Sequence, residues 1–269
     1  MRTTQEKIII ELGVKPNINP QKEIEERSAF LANYLGSSGL KGFVLGISGG
    51  QDSLLAGMLA QQAVELRRAQ GSNAEFHAVL LPYGAQKDRD DALLAIKTIA
   101  PDFTHDLDIK PATDAFSDSF AAATSEDLPD FDKGNVKARM RMIAQYALAG
   151  KYGLLVIGTD HSAEAVTGFY TKYGDGGADV LPLSGLSKRQ GKELLRALNV
   201  PEIFTQKLPT ADLLDSSPAQ PDETELGLSY DTIDNYLEGK AVGADESTLI
   251  EQRFASTVHK RAMPVVYNG

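Results

Sequence analysis

An apolar run, Phe43-Val44-Leu45, leads into Gly46-Ile47-Ser48-Gly49-Gly50-Gln51-Asp52-Ser53 and then into Leu54-Leu55-Ala56-Gly57-Met58-Leu59-Ala60. The first part reads as a buried strand and the last as the start of a helix. A glycine-rich turn between them aims backbone N–H groups and the positive helix end at one point. Such a nest binds phosphate. The pattern Ser-Gly-Gly-x-Asp-Ser has a chance frequency on the order of one in a few thousand for a chain of this length. Plain turn chemistry with Ser-x-x-Ser capping needs neither the paired glycines nor an Asp inside the turn.

The rest of the chain repeats the alternation. Helical patterns run over Thr4 to Leu12 and Pro20 to Gly36, the second with Ile24, Leu31, Tyr34 and Leu35 on one face. Strands are expected at Gly42 to Ile47, Phe76 to Leu81, His105 to Ile109 and Leu154 to Gly158. Helices are expected at Ser53 to Gln70, Asp88 to Ala100, Thr113 to Ala123, Gly134 to Tyr152, Ser187 to Leu198, Ile233 to Leu237 and Leu249 to Lys260. Strands alternating with helices imply an α/β fold whose parallel sheet is covered on both faces. Ligands then bind beyond the carboxyl ends of the strands, where Gly46 and Gly158 open into polar loops. Two further loops stand out, Tyr170 to Ala178 and Phe204 to Gly227. The second is long for a compact domain.

Composition narrows the chemistry. The net charge of −10 argues against a nucleic-acid or anionic-membrane partner. It leaves room for a nucleotide held by a few cations in one cleft. The chain has no Cys, which removes thiolate metal sites and every Cys nucleophile and suits a reducing, cytoplasmic setting. The segment Met1 to Lys7 lacks the apolar core of a signal peptide. No run approaches about 18 apolar residues, so no membrane span is expected.

Three nucleotide readings of the glycine loop compete. A Walker A loop ends in Gly-Lys-Ser/Thr, but Asp52 stands where the Lys belongs. A dinucleotide fingerprint needs Gly-x-Gly-x-x-Gly, and Gly46-Ile47-Ser48 fails at the second glycine. The third reading is a pyrophosphate loop in which amides and the Ser48 and Ser53 hydroxyls hold phosphate while Asp52 holds Mg²⁺. Mg²⁺ is usually bound by one or two carboxylates plus phosphates, so a second carboxylate is expected from elsewhere.

The loop resembles that of the ATP pyrophosphatase family, whose members cleave ATP between the α- and β-phosphates. Within it, Gly158-Thr159-Asp160-x-x-Ala163-Glu164 and Gly168-Phe169-Tyr170-Thr171-Lys172-Tyr173-Gly174-Asp175-Gly176-Gly177-Ala178-Asp179 resemble the NAD synthetase pattern. So do Leu181-Pro182-Leu183-x-x-Leu186-x-Lys188, Pro209-Thr210-Ala211-x-Leu213 and Thr257-Val258-His259-Lys260-Arg261. The resemblance spans essentially the whole chain. It implies one ATP pyrophosphatase unit over residues 1–269 with no glutaminase domain. The expected sheet has about five parallel strands, of the Rossmann-like adenine nucleotide alpha hydrolase type.

The resemblance also implies roles. Gly46, Ile47, Ser48, Gly49, Gly50, Gln51, Asp52 and Ser53 would bind ATP together with Thr159, Lys188 and Thr210. Asp52 and Glu164 would share Mg²⁺. Arg139, Lys172, Asp179, His259 and Lys260 would contact deamido-NAD. Asp175 and Lys188 would be catalytic, Asp175 near the ammonia position and Lys188 at the pyrophosphate. The family works as a homodimer with the dinucleotide across the subunit interface. Each assignment has a plainer competitor: Glu164 and Lys188 as helix-end charges, Asp175 as turn chemistry, Arg139 on a solvated basic face, His259 and Lys260 as dipole partners. His77 and His105 read as structural or exposed, and His161 carries no assigned role.

The implied reaction is ATP-dependent amidation of deamido-NAD by ammonia, giving NAD, AMP and pyrophosphate through an acyl adenylate, the final step of NAD biosynthesis. Glutamine-using relatives carry a Cys-dependent glutaminase domain, for which this chain has neither the Cys nor the length. Free ammonia, or ammonia from another chain, is therefore the expected nitrogen source. Two rivals remain: an amidotransferase half acting on xanthosine monophosphate, and an ATP-binding sensor without turnover. Both long loops are expected to order over bound substrates.

Overall fold

The structure is a computed structural model that describes residues 3–85, 88–210, 213–217 and 220–267. Ala211 of the Pro209-Thr210-Ala211 motif lies outside the described residues.

The chain opens with α1 (Thr4–Glu11) and α2 (Pro20–Ser38), then enters β1 (Gly42–Gly46) and α3 (Gln51–Ala69). The pairs β2 (Glu75–Leu80) with α4 (Arg89–Ile99) and β3 (Phe103–Asp106) with α5 (Lys110–Thr124) follow. The long α6 (Asp130–Tyr152) leads into β4 (Leu154–Val156) and α7 (Ser162–Thr167). Then come α8 (Lys188–Ala197), α9 (Glu202–Gln206), α10 (Asp222–Leu226), α11 (Tyr230–Leu237), α12 (Ala244–Ser256) and α13 (Val258–Arg261).

The described strands form one parallel sheet in the order β3-β2-β1-β4. Successive residues of β1 face opposite sides. Phe43 and Leu45 pack with the α2, α3 and α8 side chains Leu31, Leu55 and Leu194, whereas Val44 packs with Val79, Val156 and Ala144 beneath α6. The sheet is thus covered on both faces, as its uninterrupted apolar strands require. The strand order reverses between β1 and β4, and the carboxyl ends of that pair leave a crevice between Gly46 and Gly158.

The sheet has four strands among the described residues, not the expected five. Chain next to β4 makes a single parallel bridge, Ile157 with Val180, and the Gly158 N–H donates to Val180 O at 3.0 Å. Pro182 follows two residues later, lacks an N–H and ends the pairing. The third strand lies at Phe103–Asp106 rather than His105 to Ile109. It is an edge strand, mostly exposed, so it carries little apolar signal. Tyr34, expected on the buried face of α2, is 39% exposed, while Ile24, Leu31 and Leu35 are buried.

A second core lies beside the sheet. Ile8 of α1 and Val14 pack with Val166, Ile233, Tyr236, Ile250 and Phe254 from α7, α11 and α12. The expected single helix Leu249 to Lys260 is two. At Thr257 (φ −104°) the chain leaves helical geometry, and the Thr257 hydroxyl donates to Arg253 O at 2.7 Å. The break turns α13 back toward the crevice. No helix among the described residues is long and apolar enough to cross a membrane.

Candidate active site

The crevice is a cavity of about 410 Å³, a size that suits a nucleotide. Its floor is the glycine loop. Helix α3 begins at Gln51, two residues earlier than the sequence suggests, so Asp52 sits in the first turn, where the helix dipole favours a carboxylate. Gly49 has φ +79°, and a Cβ there would lie 2.6 Å from Ala92 N on α4. Only glycine lets the loop press this closely on its neighbour. The Ser48 and Ser53 hydroxyl oxygens are 3.0 Å apart, and the Gly50 N–H donates to Ser48 Oγ at 3.2 Å. These contacts fix the shape of the loop.

Two helices bring charge to this floor. Ser187 and Gln190 form a capping box that starts α8, and the Asp234 carboxylate accepts the Lys188 and Arg189 N–H groups at 2.9 and 2.7 Å. Lys188 is thereby fixed with its Nζ donating to Asp52 Oδ2 at 2.6 Å. Helix α7 supplies Glu164 in its first turn and His161 at its N-cap. His161 Nε2 lies 3.7 Å from Asp52 Oδ1, 3.6 Å from Glu164 Oε1 and 3.4 Å from Lys188 Nζ.

Negative charge is in excess here. Burial alone would raise the Asp52 carboxyl, but the Lys188 ammonium and His161 outweigh it and hold it below its ordinary value. Burial and the Asp52 charge push Glu164 well up. Burial, Asp175 and Asp52 push Asp160 up to about 7. Burial lowers His161 to about 4, so its imidazole is neutral at pH 7. Asp52, His161 and Glu164 each offer one ligand atom within 4.8 Å of the others. His161 Nδ1 is buried without a hydrogen-bond partner. The two carboxylate donors and the unbalanced negative charge suit a hard divalent cation.

The roof comes from later in the chain. Gly176 packs beneath Tyr170, where a Cβ would lie 2.7 Å from the ring. This tight turn presents Asp175 to the cavity, with Asp175 Oδ1 accepting the Thr171 N–H at 2.8 Å. Lys260 Nζ donates to Gly168 O and Tyr170 O at 2.8 and 2.7 Å, carrying α13 onto the same turn.

The structure brings Gly46, Ile47, Ser48, Gly50, Gln51, Asp52, Ser53, Thr159, Glu164, Asp175, Lys188, Thr210 and Lys260 to the walls of one cavity. Gly49 faces α4 instead. Exposed Arg139, half-buried Lys172 and exposed His259 link outside it: Arg139 donates to Lys172 O at 3.3 Å, and Lys172 Nζ to His259 O at 2.5 Å. Asp179 caps the sheet edge, accepting the Val156 N–H at 2.8 Å and the Tyr146 hydroxyl at 3.1 Å. His77 and His105 pair with each other at 2.9 Å on β2 and β3. Sequence reasoning left His161 without a role, although its position three residues before Glu164 at a helix start was a usable signal. It also missed Asp222 and Tyr230, whose side chains bond at 3.1 Å beside Lys188. Nothing local marks them.

A family model described as NAD synthase matches residues 23–264. The chain is 62% identical over 260 residues to the NH(3)-dependent NAD(+) synthetase of Bacillus subtilis, covering 97% of this chain and 96% of that one. It also resembles the crystal structure of NAD+ synthetase from Burkholderia pseudomallei (TM-score 0.84, 47% identity, 97% and 96% coverage). The NMN synthetase of Francisella tularensis has the same architecture (TM-score 0.82, 34% identity, 94% and 100% coverage). With this sheet order, this charged floor and a match over nearly its whole length, the chain belongs to the NAD synthase family.

Proposed function

We propose that the chain is an ammonia-dependent NAD synthetase that joins ammonia to the nicotinate carboxylate of deamido-NAD at the expense of ATP. The observation that carries this reading is the Asp52–Lys188–Glu164 cluster at the amino end of α3, faced across one cavity by Asp175. A carboxylate is a poor electrophile and needs activation before ammonia can attack. In the first step a carboxylate oxygen attacks the α-phosphorus of ATP, the bond to the β-phosphate breaks and an acyl adenylate forms. In the second step the ammonia nitrogen attacks the activated carbonyl and AMP leaves.

The residues divide this work. The Ser48–Ser53 loop, Thr159 and Thr210 position ATP, and the Lys188 ammonium balances charge on the departing phosphates. Asp52 and Glu164 would hold Mg²⁺, which supplies further neutralisation at the leaving group. Asp175, open to the cavity, accepts a proton from ammonium, which holds little free base at neutral pH. Arg139, Lys172, Asp179, His259 and Lys260 would bind deamido-NAD along the rim.

A homodimer completes the reading. Phe30 and Tyr34 of α2 stack with ring centroids 6.5 Å apart, and they, Ile143 and Tyr146 of α6 are exposed. Such a patch, next to Asp179 and the rim, suits a second copy lying across the dinucleotide. The chain acts in this reading as one cytoplasmic ATP pyrophosphatase unit fed by free ammonia.

The test is incubation of the purified chain with ATP, Mg²⁺ and ammonium plus deamido-NAD, the corresponding mononucleotide or xanthosine monophosphate. AMP and pyrophosphate are expected with deamido-NAD. Release only with another acceptor, or amidation from glutamine alone, would overturn the reading.

A further inference from the structure

Two lysines reach the phosphate loop. Lys188 meets it at Asp52, as described. Lys207 follows α9 and meets it at Gly49: its Nζ lies 3.4 Å from Gly49 O, 2.7 Å from Asp91 Oδ2 and 3.8 Å from Asp88 Oδ2. The Lys207 carbonyl accepts Gln51 Nε2 at 3.0 Å, so its backbone is tied to the first turn of α3. Lys207 and Asp88 both line the cavity.

We propose that Lys207 is a second pyrophosphate-binding cation of this site, parked on Asp88 and Asp91 until pyrophosphate forms at the Gly49 end of the loop. This rests on the reading of the loop as a pyrophosphate grip. Charge carries the argument. Pyrophosphate leaves with several negative charges, and one divalent cation with Lys188 leaves part of them unmatched. The cavity walls add Asp52, Asp88, Glu164, Asp175, Asp222 and Glu225, which outnumber the other two wall cations, Arg141 and Lys260. Lys207 is the cation whose Nζ touches the loop backbone itself. The Lys207 and Asp91 side chains remain 23% and 28% exposed, so water reaches and screens the pair. A pyrophosphate oxygen is a multiply charged competitor for the same ammonium. The backbone tie through Gln51 keeps the lysine within reach while its side chain changes partner.

Binding of Mg-pyrophosphate and of AMP to the full chain, measured separately by calorimetry, tests the proposal. Lys207→Met should weaken pyrophosphate about tenfold and leave AMP within about twofold, with Lys207→Arg restoring most of the loss. Asp91→Asn frees the lysine and should tighten pyrophosphate about threefold. A lysine that merely clamps the segment to α4 would weaken both ligands together. That result, or unchanged pyrophosphate affinity in either the Met or the Asn variant, would overturn the proposal. If the unmodified chain binds no Mg-pyrophosphate at all, the pyrophosphate reading of the loop fails first.

Discussion

The floor and the roof of the cavity are held by different kinds of bond. The floor, Gly46 to Ser53, grows out of the central strand. Ile47 N donates to Val79 O at 2.8 Å, Gly49 presses on α4, and Leu54 and Leu55 behind it are buried. The roof, to which Leu213 and Leu214 on the cavity wall also belong, is tied by side chains reaching across long sequence distances. Lys137 Nζ donates to Leu213 O at 2.8 Å and to Asp215 Oδ1 at 2.5 Å, and Lys133 Nζ to Asp215 Oδ2 at 3.0 Å. Asp130 accepts the Asp215 and Ser216 N–H groups, both at 2.9 Å. Floor bonds cannot open without unpairing the sheet, whereas roof bonds can open one at a time. Ligand entry and release are therefore expected at the roof, and the chemistry at the floor.

Breaking the floor should have the largest effect. Asp52→Asn should lower kcat about 10³-fold with the fold intact, as circular dichroism would verify. Near-normal pyrophosphate release by this variant would remove Asp52 from the chemistry. Asp175→Asn comes next, with the ammonia step slowed about 10²-fold and adenylation spared, seen by single-turnover detection of AMP and acyl adenylate. Equal slowing of both half-reactions would mean that floor and roof share the work. Opening the roof should be milder: Lys137→Met should raise KM for ATP about threefold to tenfold, leave kcat nearly unchanged and speed hydrogen exchange over residues 213–217. A fall in kcat with unchanged KM would contradict the division.

The smallest effect is one of pH. The Asp160 carboxyl rises from an ordinary 3.8 to about 7 in the folded protein. Between these values the folded state keeps a proton that the unfolded chain has lost, so stability falls as pH rises through this window and levels off above it. The ligand-free chain should lose a few °C of Tm between about pH 5 and pH 8, and Asp160→Asn should flatten that slope. An equal slope in the variant would assign the effect elsewhere.

The same contrast explains what the sequence made legible. The floor is local: strand, glycine turn and helix are contiguous, and the apolar runs around Phe43, Phe76 and Leu154 mark strands buried on both faces. The roof is assembled from distant pieces. The short helices α7, α9 and α10 around the cavity fall below the length at which periodicity is readable. Asp222 and Tyr230 reach Lys188 only through the fold. The missing fifth strand reflects one bridge cut off by Pro182, which composition alone does not distinguish from a full strand. The Lys172 to Asp179 stretch reads as one unit in the sequence, yet Asp175 turns into the cavity while Lys172 and Asp179 stay outside it.

One contact remote from the cavity has practical weight. Gln5 Nε2 on α1 donates to the carbonyls of Tyr236 and Lys240 at 2.8 and 3.0 Å, and Ile8 is buried against the helices that precede α13. The opening of the chain thus works as a doorstop wedged behind the arm that delivers Lys260. Removing α1 would therefore loosen the packing behind the Lys260 arm while leaving the contacts of the phosphate loop untouched.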